Sequence, residues 1–289
     1  MFKQITIIGV GLLGGSFALA MREAGLAEKI VGVSSKLKNA EKACQLGIID
    51  QASNSIRESV KSADLVLIAT PMLTMETVLG EVVETISSDC LVTDVGSVKQ
   101  VLVNLVNDKF PQLKEQFVFA HPIAGGEKSG ATAAKQDLFR GKHLILVETQ
   151  LVNKTMLERS HVFWKKIGAN VVEMSALDHD RVFAYTSHLP HVIAYTLVNN
   201  LHHQSNSKQL FDFASAGFYD FTRIASSSPV MWRDICLSNK EEILESVKQF
   251  SEQLNVLANA IENEESDRLE SIFNDAKKAR DEGLIKKHS

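Results

Sequence analysis

The chain has 289 residues, a formal net charge of −4, 45% hydrophobic and 23% charged residues. That length suggests about two domains with a normal core, and the mild negative charge argues against a nucleic-acid surface. No apolar run reaches the ~18 residues of a membrane span. Glycines interrupt residues 5–19, and Met21-Arg22-Glu23 continues as an amphipathic helix without a signal-peptide cleavage site. The three cysteines are scattered, so neither a disulfide framework nor a zinc site is expected, and the protein is expected in the cytoplasm.

Short apolar runs at 4–8, 29–33, 65–69, 91–94, 117–120 and 143–147 alternate with helical patterns at 12–25, 37–46, 73–86 and 98–108. This alternation predicts a parallel sheet covered on both faces, with ligands bound beyond the carboxyl ends of its strands. A helix at 153–167 and a strand at 170–172 follow. After Ser175 the pattern is helical throughout. One apolar run covers 177–201 with a kink expected at Pro190. Helices near 208–215, 229–262 and 265–282 come next, and the charged tail 277–289 is expected to fray.

The segment Ile5-Thr6-Ile7-Ile8-Gly9-Val10-Gly11-Leu12-Leu13-Gly14 is a strand running directly into G-x-G-x-x-G and a helix. Gly9 permits the tight turn, Gly11 the approach of a pyrophosphate, and Gly14 close packing of helix on strand. The helix N-terminus then offers free N–H groups to the anion. The expected fold is α/β: a Rossmann-type nucleotide-binding domain over 1–174, then an all-α domain over 175–289. The apolar helices of the second domain would be covered in a homodimer. Leu12 and Leu13 in the loop, and Thr70-Pro71 after the strand at 65–69, join the cofactor site. Where a NAD site usually carries Asp or Glu, the second strand ends in Ser34-Ser35-Lys36. Hydroxyls and a cation suit a 2′-phosphate, so NADP is preferred over NAD.

Two later segments sit at the same sheet edge. Thr93-Asp94-Val95-Gly96-Ser97-Val98-Lys99 follows one strand, and Ala120-His121-Pro122-Ile123-Ala124-Gly125-Gly126-Glu127-Lys128-Ser129-Gly130 ends another. With Gly14-Gly15-Ser16, Ser187-His188-Leu189-Pro190-His191, Asp220-Phe221-Thr222-Arg223-Ile224-Ala225 and Met231-Trp232-Arg233-Asp234, they occur in one order along nearly the whole chain. In these motifs the chain resembles the prephenate/arogenate dehydrogenases.

The resemblance implies an enzyme of tyrosine biosynthesis. It would oxidatively decarboxylate prephenate to 4-hydroxyphenylpyruvate, or arogenate to tyrosine, with hydride transfer to NAD(P). His121 would be the catalytic histidine, a neutral imidazole accepting the substrate hydroxyl's hydrogen bond. Ser97 would bond the same hydroxyl, or else cap a helix. Arg223 would bind the ring carboxylate with its fork of donors, or pair with Asp220 or Asp234. Glu127 would stand at the site mouth. His191 would contact substrate, with His188 either beside it or packed in the core. Trp232 would wall the pocket or fill the core, and Asp180 would reach a neighbouring subunit's site. Gly126 stands where many relatives have serine. Two other readings stay open, a β-hydroxyacid-type dehydrogenase and a non-catalytic NADP-sensing protein. The first lacks its usual catalytic lysine here. The second would have no reason to keep Ser97, His121 and Arg223 together.

Overall fold

A computed structural model describes residues 1–126, 128–147 and 152–288, with side chains through 283. Contacts divide the chain into two compact units, Met1–Lys240 and Glu241–Ser289.

The first unit begins with β1 (Phe2–Ile8), α1 (Leu12–Glu23), β2 (Ala27–Val33), α2 (Leu37–Gln45), β3 (Gln51–Ser53) and α3 (Ile56–Val60). It continues through β4 (Leu65–Ile68), α4 (Met75–Val83), β5 (Leu91–Asp94), α5 (Gln100–Lys109) and β6 (Phe117–Val118). These six strands form one parallel sheet in the order β3-β2-β1-β4-β5-β6. The order reverses between β1 and β4, which opens a crevice at the carboxyl edge where dinucleotides bind in such folds. The central strands β1, β4 and β5 are buried on both faces because helices cover both. Phe17, Phe139, Phe163 and Trp164 pack on one side through edge-to-face and tilted ring contacts. Val78, Leu79, Leu102 and Phe117 fill the other.

The run at 117–120 is not one strand. It breaks at Phe119 into β6 and β7 (Ala120–Pro122), and β7 leaves the parallel sheet. It pairs antiparallel with β8 (His143–Val147), which pairs parallel with β9 (Asn170–Met174) after α6 (Lys154–Lys166). His121 therefore lies inside a strand, opposite Ile145, rather than after one. β3 and α3 lie outside the expected elements: a three-residue polar edge strand leaves no readable period.

The helical part starts at α7 (Ala176–Phe183), passes through a π-helical stretch (Ala184–His188) and continues as α8 (Leu189–His202). The irregularity precedes Pro190, which sits in the first turn of α8 where its missing N–H costs least. Helices α9 (Ser207–Asp212), α10 (Ala216–Thr222) and α11 (Pro229–Ser238) follow. The expected continuous helix at 229–262 is broken at Asn239, whose backbone (φ −116°, ψ 40°) is not helical. Among the described residues no strand follows Met174.

The second unit holds most of α12 (Lys240–Glu262) and all of α13 (Ser266–His288). Glu264 between them adopts a left-handed φ of 55°. Helical backbone continues through His288, beyond the point where charge alone suggested fraying. No helix among the described residues is long and apolar enough to cross a membrane.

Candidate active site

The glycine loop leaves β1 and enters α1 through a turn that only glycine allows. Gly9 has a φ of +99°, and a Cβ there would stand 2.4 Å from the Ala69 carbonyl oxygen. A Cβ on Gly14 would meet the Gly9 carbonyl at 2.2 Å, so α1 packs directly on the loop. A Cβ on Gly11 would meet nothing within 4 Å, which leaves room for a ligand to approach the backbone. No side chain caps α1, and its first turn carries no acid. Its N–H groups thus remain for an anion.

A cavity of about 780 Å³ opens from this loop. Its walls include Gly9 and Gly11, Ser34 and Ser35, and Thr70 and Pro71, so six of the expected cofactor residues share one cleft. Thr70 Oγ1 is buried with no partner among the described residues, as a ligand-facing hydroxyl would be. These features fit a dinucleotide. Leu12, Leu13 and Gly14 do not line the cavity, and Lys36 is exposed at the start of α2. The cation that lines it is Lys42, beside Asn39, with Glu81 also in the wall. Neither residue of α2 was picked out from sequence. Asn39 and Lys42 are three apart on one face of α2, a helix-spaced signal that could have found them.

Neither His121 nor Ser97 lines this cavity; they belong to a second cluster at the ends of β5 and β7. Asp94 gathers it. Its carboxylate accepts from the Gly96 N–H at 2.7 Å and the Ala120 N–H at 3.1 Å, drawing the Ser97 loop toward the His121 strand. Lys99, fully buried, donates to Asp94 and, at 2.7 Å, to the Ala120 carbonyl.

His121 is half-buried, and its Nδ1 lies 2.7 Å from Nε2 of His179. Nδ1 of His179 lies 2.7 Å from Oδ1 of Asp180. A carboxylate can only accept, so His179 Nδ1 carries hydrogen and its Nε2, when the ring is neutral, accepts from His121. His121 Nε2 is then left with a lone pair. Desolvation by burial holds His121 well below the ordinary 6.5, reinforced by His179, Lys99 and His188. Burial also lowers His179, with Asp180 pulling the other way. Both rings are neutral at working pH.

Asp180 was expected to reach toward substrate in a neighbouring subunit. Its side chain is instead 3% exposed, and both oxygens are committed within this chain. Oδ1 accepts the Lys99 N–H and Oδ2 the Gln100 N–H, each at 2.8 Å, capping α5. Ser97 is therefore not the cap of that helix and keeps its hydroxyl for other work.

His188 is buried, and Asn239 Nδ2 donates to its Nδ1 at 3.2 Å and to the Asp180 carbonyl at 2.9 Å. Nε2–H of His188 then has no partner among the described residues. Burial pushes this ring down to about 4. His191 donates from Nδ1 to the Ser187 carbonyl at 2.9 Å and stacks on Trp232 with centroids 3.7 Å apart. Trp232 is buried, its indole N–H unpartnered among the described residues, so wall and core are combined in one residue. The turn Met72–Thr74 just beyond Pro71 packs on α11, which carries Trp232. Arg223 is exposed, in a 3-10 turn (Arg223–Ser226) packed on α8. Tyr195 of α8 pins the next residue by donating to the Ser227 carbonyl at 2.7 Å. Asp234 is taken by Arg233. Gly126 lies in an exposed loop, and Glu127 lies outside the described residues. Sequence reasoning quoted Asp94 and Lys99 only as part of a motif and gave no role to them, to His179 or to Asn239.

Residues 17–173 match the family model for the prephenate dehydrogenase nucleotide-binding domain, and 175–275 that for the prephenate dehydrogenase dimerization domain. A prephenate dehydrogenase of Bacillus subtilis is 40% identical over 283 residues, spanning 97% of this chain and 76% of that one. A cyclohexadienyl dehydrogenase of Zymomonas mobilis is 32% identical, spanning 96% of this chain and 95% of that one. The crystal structure of a prephenate dehydrogenase from Aquifex aeolicus with hydroxyphenyl propionate and NAD+ superposes with a TM-score of 0.91, at 39% identity and 98% coverage of both chains. With both halves matched by its family models and relatives matched over nearly the whole length, the chain belongs to the prephenate dehydrogenase family.

Proposed function

We propose that the chain oxidatively decarboxylates prephenate, or arogenate, in tyrosine biosynthesis, with NADP favoured over NAD. The carrying observation is the His121–His179–Asp180 chain, which leaves one unprotonated nitrogen on His121. Such a nitrogen can accept a hydrogen bond from the substrate hydroxyl as positive charge develops on the carbon beneath it. The nicotinamide supplies the hydride acceptor when bound. The hydride leaves the hydroxyl-bearing ring carbon with its electron pair. The bond to the ring carboxylate breaks, CO2 departs, and that bond's pair completes the aromatic ring.

The other residues bind and orient. Ser97 hydrogen-bonds the same hydroxyl. Arg223 takes the ring carboxylate by a two-point contact. His188 Nε2–H, His191 and Trp232 line the substrate side. Gly9, Gly11, Ser34, Ser35, Thr70 and Pro71 hold the dinucleotide, and the absence of a carboxylate after β2 supports the NADP preference. We further infer a homodimer built through the helical half. The match of 175–275 to a dimerization domain and the exposed Phe213, Tyr219 and Leu237 support it. A cytoplasmic setting agrees with the free cysteines Cys44, Cys90 and Cys236.

The test is a spectrophotometric assay of purified protein with NADP or NAD and with prephenate or arogenate. Reduced cofactor should accumulate in at least one combination, fastest with NADP. Absence of turnover in all four rejects the activity.

A further inference from the structure

Lys99 is the largest buried charged residue among the described residues, with no exposure at either its own side chain or that of its partner Asp94. Its two ends act on the same target. The ammonium donates to the carbonyl of Ala120, the peptide group directly joined to His121. Asp94, paired with that ammonium, accepts from the N–H of the same Ala120. The backbone N–H of Lys99 donates to Oδ1 of Asp180. That oxygen holds His179, and His179 holds Nδ1 of His121. The contacts close a ring: Lys99, Asp180, His179, the His121 imidazole, the His121–Ala120 backbone, and Lys99 again. The ring also spans the break between the two sheets, since Asp94 ends β5 and Ala120 begins β7.

We propose that Lys99 is a positioning residue for hydride transfer, holding the backbone of His121 with its ammonium and the His179–Asp180 support of the imidazole with its N–H. The proposal rests on the reading of His121 as the group that meets the substrate hydroxyl. A pair that only stapled two sheets would need the link to Ala120 but not the Asp180 oxygen shared with His179. Misplacing a reacting group by about 1 Å can cost ~10²-fold in rate, so the grip on His121 has a kinetic signature.

Lys99→Met keeps the apolar stem and removes the ammonium. Lys99→Met/Asp94→Asn removes both charges, an exchange that buried ion pairs often tolerate. For each variant, kcat, KM, the pH profile of kcat and thermal unfolding are measured, beside His121→Asn. Expected is a kcat about 10- to 100-fold lower with substrate KM within about threefold. In Lys99→Met the acid limb of kcat should also move to higher pH, because a cation near His121 has gone. A kcat within about twofold of wild type in either folded variant, or a loss matching the unfolded fraction with the acid limb unmoved, overturns the proposal. Failure of both variants to fold also overturns it, in favour of a purely structural pair. If His121→Asn itself keeps its activity, the reading of His121 fails instead.

Discussion

Nδ1 of His121 and Nε2 of His179 lie 2.7 Å apart, and this contact decides which nitrogen of His121 faces chemistry. Because Asp180 forces hydrogen onto the far nitrogen of His179, the near one must accept. His121→Asn should lower kcat by ~10²-fold or more with little change in KM, as for loss of a general base. His179→Asn should lower kcat by about tenfold, because the imidazole stays but loses its orientation. Steady-state kinetics at saturating cofactor check both. A His179 variant with normal kcat would leave His121 without need of its support.

The buried histidines make stability depend on pH. Burial lowers His121 and His179, and pushes His188 down to about 4. Unfolded, each ring takes up a proton near pH 6.5, so at lower pH the unfolded chain binds more protons than the folded one. Stability is therefore fully present above about pH 6.5 and is lost as pH falls toward the folded values. For His188 alone the difference is roughly 3 kcal/mol. Denaturant unfolding at about pH 7.5 and about pH 4.5 should show the loss, and His188→Gln should lose less. An equal loss in that variant would acquit His188.

Arg223 offers a planar fork that lysine cannot imitate. Arg223→Ala should raise substrate KM by about 10- to 100-fold, the worth of a charge-assisted pair, while kcat changes less. Arg223→Lys should recover only part of the loss. An unchanged KM in Arg223→Ala would move the carboxylate elsewhere.

What could be read from the sequence was what neighbours in sequence encode. The glycine loop, the alternating strands and the helical second half each carry their signal within about 20 residues. His121 and Ser97 were visible because each follows an apolar run. The supports of His121 were not, because Asp180 caps a helix that starts 80 residues earlier, in a pairing no local period records. Asn239 sits inside an apparently unbroken helical pattern, yet its side chain ties Asp180 to His188 and the helix breaks there. The split of the 117–120 run was equally hidden: an apolar run does not say which neighbour it pairs with.

Cofactor choice turns on which cation reaches the ribose. Sequence position favours Lys36, immediately after β2, but of these two exposed lysines it is Lys42, six residues further along, that lines the cavity with Ser34, Ser35 and Asn39. A phosphomonoester held by an ammonium and two hydroxyls loses a charge-assisted hydrogen bond when the ammonium goes, about 1.5–3 kcal/mol. Lys42→Ala should thus raise KM for NADP by about tenfold or more, and KM for NAD by less than about twofold, since NAD has no 2′-phosphate. Glu81 also lines the cavity, and a carboxylate there would repel a 2′-phosphate, so Glu81→Gln should shift preference further toward NADP. Initial rates with both cofactors, for wild type, Lys36→Ala and Lys42→Ala, separate the possibilities. Loss of NADP affinity in Lys36→Ala but not Lys42→Ala would put the phosphate outside the cavity, at the start of α2. Equal KM changes for NADP and NAD in Lys42→Ala would mean that Lys42 touches a part common to both cofactors, and the structural basis for an NADP preference would fall.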